Sequence, residues 1–213
     1  MPENALRRPA LLALGAHLLA GLAMLFVLGR GLATNPDLSA RMAFVSEHAW
    51  LWRGAWLTWT AASASILYCF KAMERAYAGP RWAVPATLLA VALDLSAQLL
   101  YAVLLPIVAG EPEAFLACDR LAVVMTGALA NGFYTAAAAG LAWRGRARYP
   151  KWVSACAAGV LFAGSWLTLA AFLDSAAGMF GSNFLLVPSL VGWLAGVALS
   201  APGGCPAPPR AGA

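Results

Sequence analysis

Asp94, Gln98 and Tyr101 stand at i, i+4 and i+7 in the stretch "LDLSAQLLYAVLLP". On a helix that spacing sets all three on one face. A carboxyl, an amide and a phenol grouped this way could move a proton, hold a polar ligand or clamp a neighbouring helix. Asp94 also lies near the centre of a long apolar run, about 82–109. If that run crosses a membrane, a charged carboxylate there costs at least ~2.5–3.5 kcal/mol. Asp94 must then face protein or a wet cavity, be paired, or carry a proton. As a catalytic residue it would serve as acid or base.

The next apolar run, about 116–143, carries Arg120, Gly127, Asn131 and Tyr134 near one face. The short connection "GEPEAF" makes the two runs antiparallel neighbours. Asp94 and Asn131 are therefore expected to meet at mid-depth, with Gly127 allowing close approach. Two readings stand side by side. One is an interhelical clamp. The other is a small polar pocket built from Gln98, Tyr101, Asn131 and Tyr134 around Asp94.

A third concentration is "SEHAWLWRGAWLTW", Ser46 to Trp59, with Glu47, His48, Arg53 and four tryptophans. Trp50 and Trp52 fall where an apolar run begins, a place that suits indole rings at a headgroup boundary. Trp52, Trp56 and Trp59 share one helical face. Arg53 can snorkel outward or pair with Asp119, which lies at a similar depth. Glu47, His48, Arg53, Trp56, Asp119 and Arg120 are together the candidate rim of an outer vestibule. Just upstream, Pro36 and Asp37 can start a short interfacial helix that turns Met42, Phe44 and Val45 toward the bilayer.

No metal or cofactor is expected. His17 and His48 lie at different depths, so they do not make a ligand pair. Cys69, Cys118, Cys156 and Cys205 have no C-x-x-C spacing. No nucleotide-binding loop or G-x-G-x-x-G occurs.

The elements that must position these residues follow from composition. Of 213 residues, 62% are hydrophobic and 11% charged. Water-soluble domains run at about half apolar and a quarter charged. Such a chain needs lipid as its solvent. The net charge of +5 does not point to nucleic acid, because the basic residues form short clusters between apolar runs.

About 20 apolar residues span ~30 Å of hydrocarbon. Six segments qualify, at about 10–30, 49–70, 82–109, 116–143, 152–173 and 182–200. None alternates with period two, so the expected fold is an all-α polytopic bundle of six transmembrane helices. With the N-terminus inside, Arg7, Arg8, Lys71, Arg75, Arg81, Arg144, Arg146, Arg148, Lys151 and Arg210 all fall on the cytoplasmic side. Arg30, Arg41, Arg53 and Arg120 fall outside or at outer ends. That bias predicts an N-in, C-in protein of the cytoplasmic (inner) membrane. A cleaved signal peptide competes for the first segment, but its apolar core is long and five further segments follow. Residues 1–200 are expected to form one domain. The Pro/Gly-rich tail, 201–213, is expected to be disordered.

The stretch "FVSEHAWLWRGAWLTW", followed by "LDLSAQLLYAVLLP", resembles uncharacterised bacterial multi-span membrane proteins of about this length. The resemblance brings no activity. The residues leave three functions open. The first is binding of a lipophilic small molecule, or of a membrane partner subunit or second copy, in a bundle pocket with a polar midplane. The second is an intramembrane acid–base enzyme of isomerase or cyclase type acting on an isoprenoid or lipid, with Asp94 catalytic and Trp56 or Trp59 stabilising a carbocation. The third is a small transporter component.

Overall fold

A computed structural model describes residues 4–200. The tail expected to be disordered, 201–213, lies outside the described residues. Within them every regular element is helical. Helix α1 spans Asn4–Phe26, α2 Leu38–Glu47 and α3 Ala49–Tyr77. They are followed by α4 (Ala83–Ile107), α5 (Pro112–Arg148), α6 (Lys151–Phe172) and α7 (Ala176–Ser200). Leu- and Ala-rich sequence favours helix intrinsically. In lipid the helix also satisfies every backbone polar group within its own segment.

Local signals set the boundaries. The Asp37 side chain accepts a hydrogen bond from the Ala40 backbone N–H at 3.0 Å and so caps α2. Helix α3 runs on to Tyr77, past the limit of about 70 expected from hydropathy. Its polar end, "KAMERAY", consists of good helix formers and continues the same helix. It stops at Ala78, which takes a left-handed φ of 49°, and the Gly79 N–H then bonds back to the Glu74 carbonyl at 2.8 Å.

The six long helices close a ring. α1 packs on α3, α3 on α4, α4 on α5, α5 on α6, α6 on α7, and α7 back on α1. The tightest seam is between α6 and α7. A Cβ at Gly192 would lie 2.7 Å from the Cys156 Sγ, and one at Gly196 would run into the Val153 side chain. The "GWLAG" spacing of small residues is what lets these backbones approach.

Three apolar clusters hold the ring. At one end Leu6, Tyr77, Ala83, Leu141, Tyr149 and Val153 belong to a single core, which also reaches Trp193 and Ala198. This end carries the Arg7–Arg8, Lys71–Arg75 and Arg144–Lys151 clusters and is termed the basic end. At the other end, the α2 end, Leu28, Phe44, Val45, Trp52, Leu105 and Phe115 form a second core. A third joins Val123 and Ala128 of α5 to Leu167, Ala170 and Ala171 of α6 and Met179 of α7.

Five helices, α1 and α4 to α7, are long and apolar enough to cross a membrane. α3 has the length, at 29 residues, but is less apolar. Its Thr60 and Ser63 face the ring interior and join the network of Asp94. The outside of the ring is greasy: Phe184 and Leu199 are 78% and 75% exposed, and α1 presents Leu11, Leu18, Leu22 and Leu25 outward. Contiguous apolar surface on this scale belongs against lipid, not water.

Helix α2 departs from its expected placement. Its Phe44 and Val45 do not face the bilayer. They are buried against Trp52, with Phe44 and Trp52 edge to face at 6.5 Å. A second departure separates two tryptophans read as one belt. Trp50 is 82% exposed, whereas Trp52 is fully buried and donates its Nε1–H to the Tyr101 carbonyl at 2.6 Å.

Candidate functional site

Asp94 comes from the middle of α4 and is 7% exposed. Ser63 Oγ of α3 lies 2.5 Å from its Oδ2, and Gln98 Nε2 donates to the same oxygen at 3.1 Å. Thr126 Oγ1 of α5 donates to Oδ1. Gln98 is oriented by Thr60, whose hydroxyl donates to Gln98 Oε1 at 2.7 Å and so turns the amide nitrogen toward Asp94. Three helices thus converge on one carboxyl using neutral partners alone.

Ser63 has a choice. Its oxygen is 2.5 Å from Asp94 Oδ2 and 3.0 Å from the Trp59 carbonyl, yet a hydroxyl carries one hydrogen. With that hydrogen on Asp94, the carboxyl is an acceptor only. With it on Trp59, Oδ2 can itself donate to Ser63. The same side chains satisfy Asp94 with or without a proton.

Both helices flanking this point are locally widened. α4 has a π segment at Leu100–Leu104 and α5 one at Val124–Ala130. Such segments leave carbonyls without their usual helical partner. In α4 those carbonyls find side chains: Trp52 Nε1 bonds Tyr101 O, Arg53 Nε bonds Ala102 O at 3.1 Å, and Cys118 Sγ approaches Leu100 O at 3.8 Å. In α5 the widened turn carries Thr126 to Asp94 and Gly127 against Ala171.

A cavity of about 240 Å³ lies inside the ring around Asp94, its wall running from Phe70, Ala138 and Val160 to Leu32, Ala33 and Thr34. One water needs only ~10–15 Å³, so this is no packing defect. Asp94, Trp56, Trp59, Tyr101 and Tyr134 all line it, as does His17 of α1. Two buried donors at this wall have no hydrogen-bond partner among the described residues, Trp56 Nε1 and Trp59 Nε1. The Tyr134 hydroxyl sits beside Ser63 and Asp94. His17 donates Nδ1–H to the Ala13 carbonyl at 2.8 Å, which leaves Nε2 as an acceptor in the neutral ring.

The residues singled out from sequence are distributed as follows. Asp94 and Gln98 bond directly. Tyr134 stands beside them. Tyr101 is one level nearer the α2 end, stacked on Trp56 with centroids 4.4 Å apart and planes 4° apart. Asn131 lines the cavity but turns away from Asp94, donating to the Gly164 carbonyl at 2.7 Å and Thr168 Oγ1 at 2.9 Å. The expected Asp94–Asn131 contact is therefore replaced by Asp94–Thr126, because the π segment rotates Thr126 into place.

The outer residues do not gather. Glu47 and His48 are exposed, with His48 resting on the Phe44 ring at 5.0 Å. Arg53 bonds Ala102 O and lies over Trp50, so it does not pair with Asp119. Asp119 pairs with Arg41 of α2 at 2.5 Å, both side chains almost fully buried. Arg120 points elsewhere, to Asp174 at 3.5 Å on the exposed surface. Of the candidate rim, Trp56 alone lines the cavity.

Sequence reasoning passed over Ser63, Thr126 and Arg41. A helical serine such as Ser63 ordinarily bonds its own helix backbone, as it also does here at the Trp59 carbonyl, and Thr126 carries no charge to draw attention. Arg41 did have a signal. It is a basic residue on the side where the charge bias disfavours one, flanked by apolar neighbours.

No protein-family model matches the chain, and neither a curated protein nor a solved structure was found to match it. Function is argued from the site alone.

Proposed function

We propose that the chain is a six-span protein of the cytoplasmic membrane that binds a lipophilic small molecule inside its helical ring. The six-span, N-in, C-in reading takes α3 as a crossing. α3 packs between α1 and α4 in the ring, and the clusters at the basic end follow the positive-inside tendency. At 37 residues, ~55 Å at 1.5 Å per residue, α5 exceeds the hydrocarbon thickness, so its Arg144–Arg148 end projects into the headgroups.

One observation carries the binding reading: a cavity of about 240 Å³ in a close-packed bundle, with partnerless donors at its wall. That volume is near the lower end of small-molecule sites, ~300–1,000 Å³. Leaving a buried donor unpaired costs ~1–3 kcal/mol. An occupant bearing an acceptor oxygen or nitrogen removes that cost. Surrounding lipid is the natural source of such a molecule.

The test is native mass spectrometry of the protein released from mild detergent, followed by identification of the adduct. A bound molecule is expected in the wild type and absent from Leu167→Trp, which fills the cavity from α6. An adduct unchanged in that variant would place the molecule elsewhere.

A second reading, an intramembrane acid–base enzyme, has one specific support. The Tyr134 hydroxyl beside Asp94 supplies a second proton-bearing group. Turnover of an isoprenoid or lipid, abolished by Asp94→Asn in a folded protein, would decide for it.

A further inference from the structure

Among the described residues two carboxyls are buried, and they are treated differently. Asp119 has Arg41 at 2.5 Å. Asp94, buried to a similar degree, has no cation within ion-pair distance among the described residues, and none of their lysines or arginines lines its cavity. The titratable groups sharing that wall are His17 of α1, Tyr101 of α4 and Tyr134 of α5. Buried charges are paired or neutralised. The partner missing from the protein must come from outside it.

We propose that Asp94 holds either a proton or the cationic group of a lipophilic amine or quaternary ammonium whose remaining chain bears an acceptor oxygen for the unpartnered indole N–H groups, cation and proton displacing one another. This rests on the reading of the cavity as a lipophile site and names the class of ligand. Two further features fit a cation. Trp59 and Tyr134 line the same cavity as the carboxyl, and aromatic rings attract organic cations. Ser63 can send its hydrogen to Asp94 or to the Trp59 carbonyl, so the network accommodates either form of the carboxyl. The exchange balances as one cation in and one proton out: the O–H bond of Asp94 breaks, its electron pair stays on the carboxylate, and the proton leaves to solvent.

The probes are phenyltrimethylammonium and its uncharged isostere tert-butylbenzene, titrated calorimetrically into purified full-length protein in detergent. Repeating the titration in buffers of different ionisation enthalpy counts protons. Phenyltrimethylammonium carries no titratable proton, so any proton released comes from the protein. The expected result is binding of the cation with one proton released. Its affinity should rise up to tenfold per pH unit while the empty site is protonated. Asp94→Asn should weaken the cation at least tenfold and leave tert-butylbenzene within about twofold. Cation binding without proton release in the wild type overturns the proposal, and this measurement stands even if Asp94→Asn fails to fold. Binding of tert-butylbenzene but not of the cation overturns it too, leaving the lipophile site intact. Binding of neither removes the lipophile reading itself.

Discussion

Arg41 of α2 reaches Asp119 of α5 with Nη2 and Oδ2 2.5 Å apart, and both side chains are shut away from solvent. The same guanidinium donates Nε–H to the Gly31 carbonyl at 3.2 Å and lies over the Phe115 ring. One residue thus ties the short α2 to the connection behind it and to the start of α5.

Breaking that pair from one side leaves a buried charge alone. Arg41→Ala or Asp119→Ala is expected to destabilise the protein by about 3–5 kcal/mol. Replacing both together, Arg41→Met with Asp119→Leu, should recover most of the loss, since the charge itself is removed. The exposed Arg120–Asp174 pair is the control, and Arg120→Ala should change stability by less than ~1 kcal/mol. Thermal unfolding in one detergent checks all four. Equal effects at Arg41 and Arg120 would contradict the assignment.

The Asp94 network predicts a graded series. Interhelical hydrogen bonds in membrane proteins average only ~0.6 kcal/mol, so Thr126→Val and Ser63→Ala should each be mild. Asp94→Leu removes the common acceptor of Ser63, Gln98 and Thr126 at once and should cost more than either. Asp94→Asn keeps the shape and should fold. Unfolding temperatures in the order wild type, single-donor variants, Asp94→Leu would bear this out.

Gly31 is tied to its neighbours by lack of space. A Cβ there would fall 2.6 Å from the Trp52 ring and 2.8 Å from Val45 Cγ2, both fully buried. Overpacking of this kind costs ~1–3 kcal/mol. Gly31→Ala should loosen α2 and speed labelling of a cysteine placed at Phe44, read by thiol alkylation. Unchanged labelling would show that α2 is not held through this contact.

Topology has its own test. A reporter fused after Arg148 should read cytoplasmic, and a cysteine at Glu47 should react with an impermeant maleimide from outside intact cells. A cytoplasmic Glu47 would reverse the orientation. Equal exposure of both sites on one side would remove α3 from the set of crossings.

Much of the bundle was legible in advance because hydropathy is a local property. The run from Ala83 to Ile107 can be recognised as a helix in lipid without knowing its neighbours, and so can the cost of Asp94 within it. The spacing of Gln98 behind Asp94 needs only helix geometry. The partners of Asp94 are another matter. Asn131 is the better candidate by polarity and depth, and Thr126 is the residue that arrives. A π segment shifts helical phase by a fraction of a turn, and nothing in "VVMTGALAN" announces one.

The amino-acid sequence by itself determined that this chain belongs in a bilayer and that a carboxyl at mid-depth needs company, since transfer energies add residue by residue. Which company it found was decided only by tertiary structure. Arg41 went to Asp119, Arg53 to the α4 backbone, and Asp94 to neutral donors at the wall of the cavity. Those pairings depend on how far each helix is rotated and slid against the next, and packing around the ring sets those offsets jointly. No single segment encodes them.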